Sequence, residues 1–182
     1  GEAIVKAVGI KKSDRTGRLI YDFTAGLGTE AFLLASAGYR VIAFERDPTV
    51  FALLHDAQRR LRDFAKNIDL EFIHADAAMY FAEPRERAYA VTLDPMFEAG
   101  AKSGKSLPKK EMASLRKFLV PSTENELQLL FHTAIQNAES RVIVKRANGA
   151  PDLVSADVSG RKITPAHRLK GKTARFDIYS CR

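Results

Sequence analysis

An α/β fold, doubly wound around a mostly parallel sheet of seven strands, is what this sequence predicts. Three observations carry the expectation. Strand-like apolar runs alternate with helical patterns, the order that lays helices on both faces of a parallel sheet. A glycine turn, Gly26-Leu27-Gly28, follows the first run directly and opens a helix. The tail reads as a pair of strands that closes the sheet. In such folds ligands bind at the carboxyl ends of the strands, where strand order reverses.

The elements follow in order. A leading helix is expected near Glu2–Val8 and a strand over Leu19–Phe23. The helix over Thr29–Ala37 closes at Gly38, a C-cap glycine. After a strand at Arg40–Glu45, Asp47 is placed to cap a helix with Pro48 in its first position. That helix runs to about Lys66, with Val50, Leu53, Leu54, Ala57, Leu61 and Phe64 on one face. Strands at Leu70–His74, Ala88–Leu93 and Arg141–Lys145 alternate with helices near Ala77–Ala82, Lys109–Phe118 and Glu124–Asn137. His167–Lys170 and Arg175–Ser180 form the closing pair, which makes five parallel-type strands and a final hairpin.

Composition narrows the class. A chain of 182 residues, 46% hydrophobic and 28% charged, suits one globular domain over residues 1–182. It opens on Gly1 rather than methionine, so a native segment upstream is expected. No run of apolar residues is long enough to span a membrane. A lone cysteine, Cys181, excludes an internal disulfide and points to a reducing cytoplasm. The histidines His55, His74, His132 and His167 lack the close spacing of a metal site, so no metal is expected. The net charge of +7 is split: residues 1–99 carry 13 Lys/Arg against 15 Asp/Glu, and residues 100–182 carry 16 against 7. Such a division suggests one half that handles a small molecule and one that faces a polyanion, or simply a basic protein with solvated lysines.

The glycine turn is the first chemical signal. Gly26 and Gly28 let the backbone turn sharply and approach a ligand, and the helix behind them offers free N–H groups. Gly26-Leu27-Gly28-Thr29-Glu30-Ala31 also fits a dinucleotide fingerprint, so the turn alone does not separate S-adenosylmethionine (SAM) from NAD. Three acids at strand ends favour SAM. Asp22 can hold the turn and a cationic amino-acid end. Glu45 can accept both ribose hydroxyls, although beside Arg46 it could be a surface ion pair. Asp76, next to Ala77, is placed for an adenine ring, or merely to cap the next helix.

The second signal is Leu93-Asp94-Pro95-Met96-Phe97, at the end of an apolar strand. An exocyclic amine on a base is a poor nucleophile because its lone pair is delocalised into the ring. A carboxylate at Asp94 and the carbonyl after it can accept both N–H bonds, and Phe97 can stack on the base. Amino-group methyltransferases use Asp/Asn-Pro-Pro-aromatic for this purpose; here Met96 stands for the second proline. Lys102, Lys105, Lys109 and Lys110 follow at once, where substrate phosphates would lie, and Lys145 and Arg146 end the fifth strand towards the same edge.

With these residues together, the chain resembles the bacterial ribosomal RNA small-subunit methyltransferase J family. The likeness rests on Gly1-Glu2-Ala3 with Lys6-Ala7-Val8-Gly9, Thr24-Ala25-Gly26-Leu27-Gly28, Glu45-Arg46 and Leu93-Asp94-Pro95-Met96-Phe97. Further along it rests on Lys109-Lys110-Glu111-Met112, Val144-Lys145-Arg146 and Arg175-Phe176-Asp177-Ile178-Tyr179. The resemblance implies the seven-stranded, Rossmann-like methyltransferase fold and SAM-dependent methylation of a guanine N2 in 16S rRNA, with S-adenosylhomocysteine as product. It also implies cofactor contacts at Thr29-Glu30, Glu45-Arg46, Asp76-Ala77 and Asp94. Thr29-Glu30 stands where Arg-Asp is expected, and Asp76-Ala77 where Ser-Ser is. The expected partner is small-subunit rRNA or the 30S subunit. Three alternatives compete: a methyltransferase of another planar amine such as adenine N6, an NAD-dependent oxidoreductase, and a non-catalytic rRNA-binding assembly factor.

Overall fold

The computed structural model describes residues 2–65, 67–95, 123–153, 155–156, 159–172 and 174–181. In chain order the elements are α1 (Glu2–Val8), a 3-10 turn (Lys12–Asp14), β1 (Leu19–Asp22), α2 (Thr29–Ser36), β2 (Arg40–Glu45), α3 (Pro48–Phe64), β3 (Leu70–His74), α4 (Ala77–Tyr80) and β4 (Ala88–Leu93). After these come α5 (Glu124–Asn137), β5 (Ala138–Ala147), β6 (Ser155–Ala156), β7 (Lys162–Ile163), β8 (His167–Lys170) and β9 (Ala174–Ser180). Seven strands form one sheet in the order β3-β2-β1-β4-β5-β9-β8. The first five run parallel, and β9 and β8 are antiparallel additions. The order reverses between β1 and β4, so the carboxyl ends of those two strands flank the crevice.

Two apolar layers sandwich the sheet, and strand alternation assigns residues to them. Ile20, Ala90, Ile143, Phe176 and Ile178 face α1, α2 and α3. Tyr21, Val91, Val142, Val144 and Tyr179 face α4 and α5. The second layer is aromatic near the crevice: Phe23 stacks on Phe81 with ring centroids 5.0 Å apart, and Phe44 meets Phe23 edge-on at 5.8 Å.

Local chemistry sets most boundaries. Asp47 Oδ1 accepts from the Thr49 and Val50 amides at 2.8 and 3.0 Å, with Pro48 at the start of α3. Gly38 takes φ +100° just past the C-cap of α2, a conformation that side chains resist. Thr123 and Glu126 form a reciprocal capping box at the start of α5.

Three expectations differ from what is found, and one short hairpin had no counterpart among them. The buried face of α3 is Val50, Leu54 and Gln58, while Leu53 and Phe64 are exposed. Gln58 takes the inner position because its Nε2 donates to the Leu70 carbonyl at 3.0 Å. The fifth strand is twice as long as expected, because β9 pairs with it from Arg141 to Ala147 and β4 reaches back to Ala138. The short β6–β7 hairpin carries no alternation that sequence reading could use. Helix α4 stops at Tyr80, short of Ala82. The helix expected over 109–118 lies outside the described residues.

Candidate functional site

Strand alternation also brings the polar residues of the site onto one face. On β1 Asp22 follows Ile20, on β4 Thr92 follows Ala90 and Asp94 comes next on that face, and on β5 Lys145 follows Ile143. All four therefore stand on the side that α2 covers. Helix α2 brings Glu30 to the same point.

The glycine turn is tied to its neighbours by backbone bonds. Phe23 donates to Thr92 O at 3.0 Å, and Ala25 donates to Phe44 O at 2.8 Å. Gly28 has φ +75°, and a Cβ there would sit 2.8 Å from Phe72 Cζ and 2.9 Å from Leu54 Cδ2. Gly28 is thus required both by its conformation and by its packing. Gly26 differs. Its φ is +53°, but among the described residues the nearest atom to a Cβ there would be Thr24 O at 3.9 Å, so these residues leave space open in front of the turn. That opening, beside the exposed Thr29 at the start of α2, is the approach a ligand backbone or ribose requires.

Glu45 spans the base of this opening. One carboxylate oxygen accepts the Gly26 amide at 2.9 Å and the other accepts the Asp47 amide at 2.8 Å. Burial raises its pKa above the ordinary glutamate value, and the amides of Asp47 and Gly26 oppose that rise. Each oxygen keeps capacity for a second donor, so ribose hydroxyls fit here alongside the backbone bonds. Arg46 reaches Asp76 at 3.7 Å and Glu126 at 3.5 Å, linking β2, α4 and α5. Asp76 caps α4 through Oδ1, taking the Ala78 amide at 2.9 Å, and Ala77 is buried in the aromatic layer. Around an adenine ring, Ala77 therefore has only its backbone to offer.

The acidic end of the site is built around Asp94. Its backbone N–H donates to Thr24 Oγ1 at 2.6 Å, which fastens the end of β4 two residues ahead of the glycine turn. Its Oδ2 lies 2.7 Å from Lys145 Nζ, and the same ammonium lies 2.5 Å from Glu30 Oε1. Asp22 sits behind this pair, 3% exposed, with Oδ1 accepting the Thr24 amide at 3.1 Å. Desolvation pushes its pKa up to about 7, and the Glu30 and Asp94 charges add to the rise. Burial acts to lower the Lys145 pKa, but the Asp94 and Glu30 carboxylates outweigh it and leave the ammonium above the usual lysine value.

The structure thus brings Asp22, Gly26, Gly28, Thr29, Glu30, Glu45, Asp94 and Lys145 to one crevice. Arg46, Asp76 and Ala77 flank its far side. Pro95 is buried directly after Asp94. Phe97, Lys102, Lys105, Lys109 and Lys110 lie outside the described residues. Two residues expected to face phosphate are placed otherwise. Lys145 bridges two carboxylates, and Arg146 is buried, its Nη2 donating to Pro151 O at 2.8 Å. Thr24, whose hydroxyl holds the Asp94 peptide, is the site residue to which sequence reading gave no role; its place two residues before Gly26 is the signal that could have found it.

The Arg175-Phe176-Asp177-Ile178-Tyr179 segment works from behind the site. Asp177, with no exposure, receives Arg175 Nε at 2.8 Å, and Arg175 Nη1 donates to the carbonyls of Ala147 and Asn148 at 3.1 and 2.9 Å. Tyr179 donates its hydroxyl to Leu153 O at 2.8 Å. These bonds hold the segment after β5, and so the strand end that carries Lys145. Among the described residues no group of His, Cys, Asp or Glu could hold a metal ion, and no helix is long and apolar enough to cross a membrane.

Residues 1–181 match a family model described as "Putative SAM-dependent methyltransferase". The chain is 35% identical over 191 residues to ribosomal RNA small subunit methyltransferase J of Cellvibrio japonicus, covering 99% of this chain and 67% of that one. The protein of the same name from Alcanivorax borkumensis is 39% identical, with 99% and 67% covered, and that of Coxiella burnetii strain Dugway is 37% identical, with 98% and 66% covered. The chain thus spans about two thirds of the length of these relatives. Among solved structures, a SAM-dependent methyltransferase from Neisseria gonorrhoeae superposes with a TM-score of 0.68 at 31% identity, covering 98% of this chain and 70% of that one. Magnesium protoporphyrin IX methyltransferase from Synechocystis, solved with bound SAM, shares the fold alone, with a TM-score of 0.61 at 14% identity and coverage of 98% and 76%.

Proposed function

The chain belongs to the SAM-dependent methyltransferase family whose model spans residues 1–181, and from that membership we propose that it methylates the exocyclic N2 of a guanine in small-subunit (16S) ribosomal RNA. The observation that carries the reading is Asp94. It is a half-exposed carboxylate at the strand-order reversal, held by Thr24 against the glycine turn. The relatives' shared name supplies the substrate class.

The residues fit the cofactor. Space in front of Gly26 admits it, Glu45 takes the ribose hydroxyls, and the turn that buried Asp22 holds through the Thr24 amide receives its zwitterionic amino-acid portion. When bound, SAM supplies a methyl group already activated on a sulfonium, so no strong base is required. The protein's part is positioning and electrostatics. Asp94 accepts an N–H of the target amine, draws electron density towards the nitrogen, holds the lone pair in line, and takes up the proton the nitrogen sheds once the N–CH₃ bond has formed, passing it to solvent. The Pro95 carbonyl, next along the chain, is the proposed acceptor for the second N–H. Phe97 is the proposed stacking face, and Lys102, Lys105, Lys109 and Lys110 the proposed phosphate contacts. The proposed partner is the rRNA or the 30S subunit, and the proposed compartment the cytoplasm.

Single-turnover transfer of labelled methyl to unmodified small subunits, followed by digestion to nucleosides, tests the reading. Asp94→Ala is expected to slow transfer by about 10²–10³-fold. Label on a nucleoside other than N2-methylguanosine, or an Asp94→Ala variant at the parental rate, overturns it.

A further inference from the structure

We propose that Lys145 is the positioning residue of this site: its ammonium joins the Asp94 carboxylate on β4 to Glu30 on α2, aiming the amine acceptor from the helix that carries the cofactor turn. This inference rests on the reading of Asp94 given above. Three observations support it. Lys145 Nζ contacts both carboxylates at once, 2.7 Å from Asp94 and 2.5 Å from Glu30. Asp94 stands one residue past the last β4–β5 pair, Leu93 with Val144, where the ladder no longer fixes it. The backbone tie to Thr24 orients the peptide of Asp94 but leaves the rotamer of its carboxylate to a side-chain partner. The ion pair with Lys145 supplies that constraint, and a charged bond between half-buried groups defines direction well.

The lysine also separates charges. Asp22 on β1 and Asp94 just past the end of β4 lie on the sheet face that α2 covers with Glu30, and without a cation among them the three would repel one another. Among the described residues, β5 itself adds Arg141 on the same face. Across the ladder β9 sets the uncharged Phe176 opposite it. Removing Lys145 therefore makes ionised Asp94 harder to maintain, and the acidic limb of the rate moves to higher pH.

Lys145→Met, Lys145→Arg and the unaltered 182-residue chain, assayed side by side, decide the matter. With saturating SAM, Lys145→Met is expected to slow single-turnover transfer by about 10²-fold, the scale of a small misplacement of a reacting group. Its acidic limb should rise by about one pH unit. Calorimetric affinity for S-adenosylhomocysteine should change less than about threefold, under 0.7 kcal/mol. Lys145→Arg, which keeps the charge, should recover most of the rate and the parental limb. A Lys145→Met variant with weakened S-adenosylhomocysteine binding and a parental saturated rate would make Lys145 a cofactor ligand and overturn the proposal. A lowered melting temperature with an unmoved pH profile would make it merely structural, and overturns it equally. If the unaltered chain leaves small subunits unmethylated, the reading of function fails first; if it methylates them and Lys145→Met keeps pace, only the role of Lys145 fails.

Discussion

Replacing Glu45 with alanine should damage the fold as well as the cofactor site, and the structure sets the size of the effect. The carboxylate receives the Gly26 amide at 2.9 Å and the Asp47 amide at 2.8 Å, pinning the glycine turn to the start of α3. Hydrogen bonds to a charged acceptor contribute about 1.5–3 kcal/mol each. Water reaches this half-buried group and recovers part of that, so the net loss is about 2–4 kcal/mol. For a chain of this size, about 3 kcal/mol lowers the melting temperature by ~6–12 °C. Glu45→Gln should fall between: its carbonyl oxygen keeps one amide, while its NH₂ opposes the other. SAM affinity, measured by titration calorimetry below the melting transition, should drop by about 1.5–3 kcal/mol through loss of the proposed ribose acceptor. Thermal melts of the three proteins report the first effect. A Glu45→Ala melt that coincides with the parental curve would show that the two amide bonds carry no weight, and would refute the reasoning.

Three further outcomes are expected. Gly28→Ala must place a Cβ 2.8 Å from Phe72 and 2.9 Å from Leu54 at φ +75°, so urea unfolding should show a loss of about 2–4 kcal/mol, whereas Gly26→Ala, at φ +53° with space before it, should lose only the ~1–2 kcal/mol of left-handed backbone. Asp22 has its pKa raised from 3.8 to about 7, so the folded state keeps a proton that the unfolded state has lost across that interval. Its contribution to stability is therefore full below pH 4, falls as pH rises to 7 by up to ~4 kcal/mol, and is level above. Subtracting the Asp22→Asn stability profile from the parental one should reveal that fall, and a flat difference would contradict it. Arg175→Ala leaves Asp177 buried without its main cation and should cost about 3–5 kcal/mol in a denaturant melt, while an unchanged midpoint would show that the pair is dispensable.

Much of the architecture was legible because its signals are local. Alternating apolar runs, Asp47-Pro48 before α3, and Gly38 past the end of α2 act within a few residues, so the chain itself carries them. The glycine turn and the acids at the strand ends were legible for the same reason, since a doubly wound fold puts functional groups where strands stop. The buried face of α3 was not: Leu53, Leu54, Ala57 and Gln58 are all compatible with a helix, and only contact with Leu70 and Phe72 selected the side that turns inward. Nor was the site's internal wiring. Lys145 looked like one more cation in a basic half of the chain. It bridges Glu30 and Asp94 because β5 lies beside β4, and because alternation along three strands sets Asp22, Asp94 and Lys145 on the face beneath α2. Residues so far apart in the chain leave no periodic trace in it. The sequence by itself determined the fold class and set the glycine turn and Asp94 at strand ends; the tertiary structure alone decided which charges meet, because pairing across strands depends on sheet order and not on spacing.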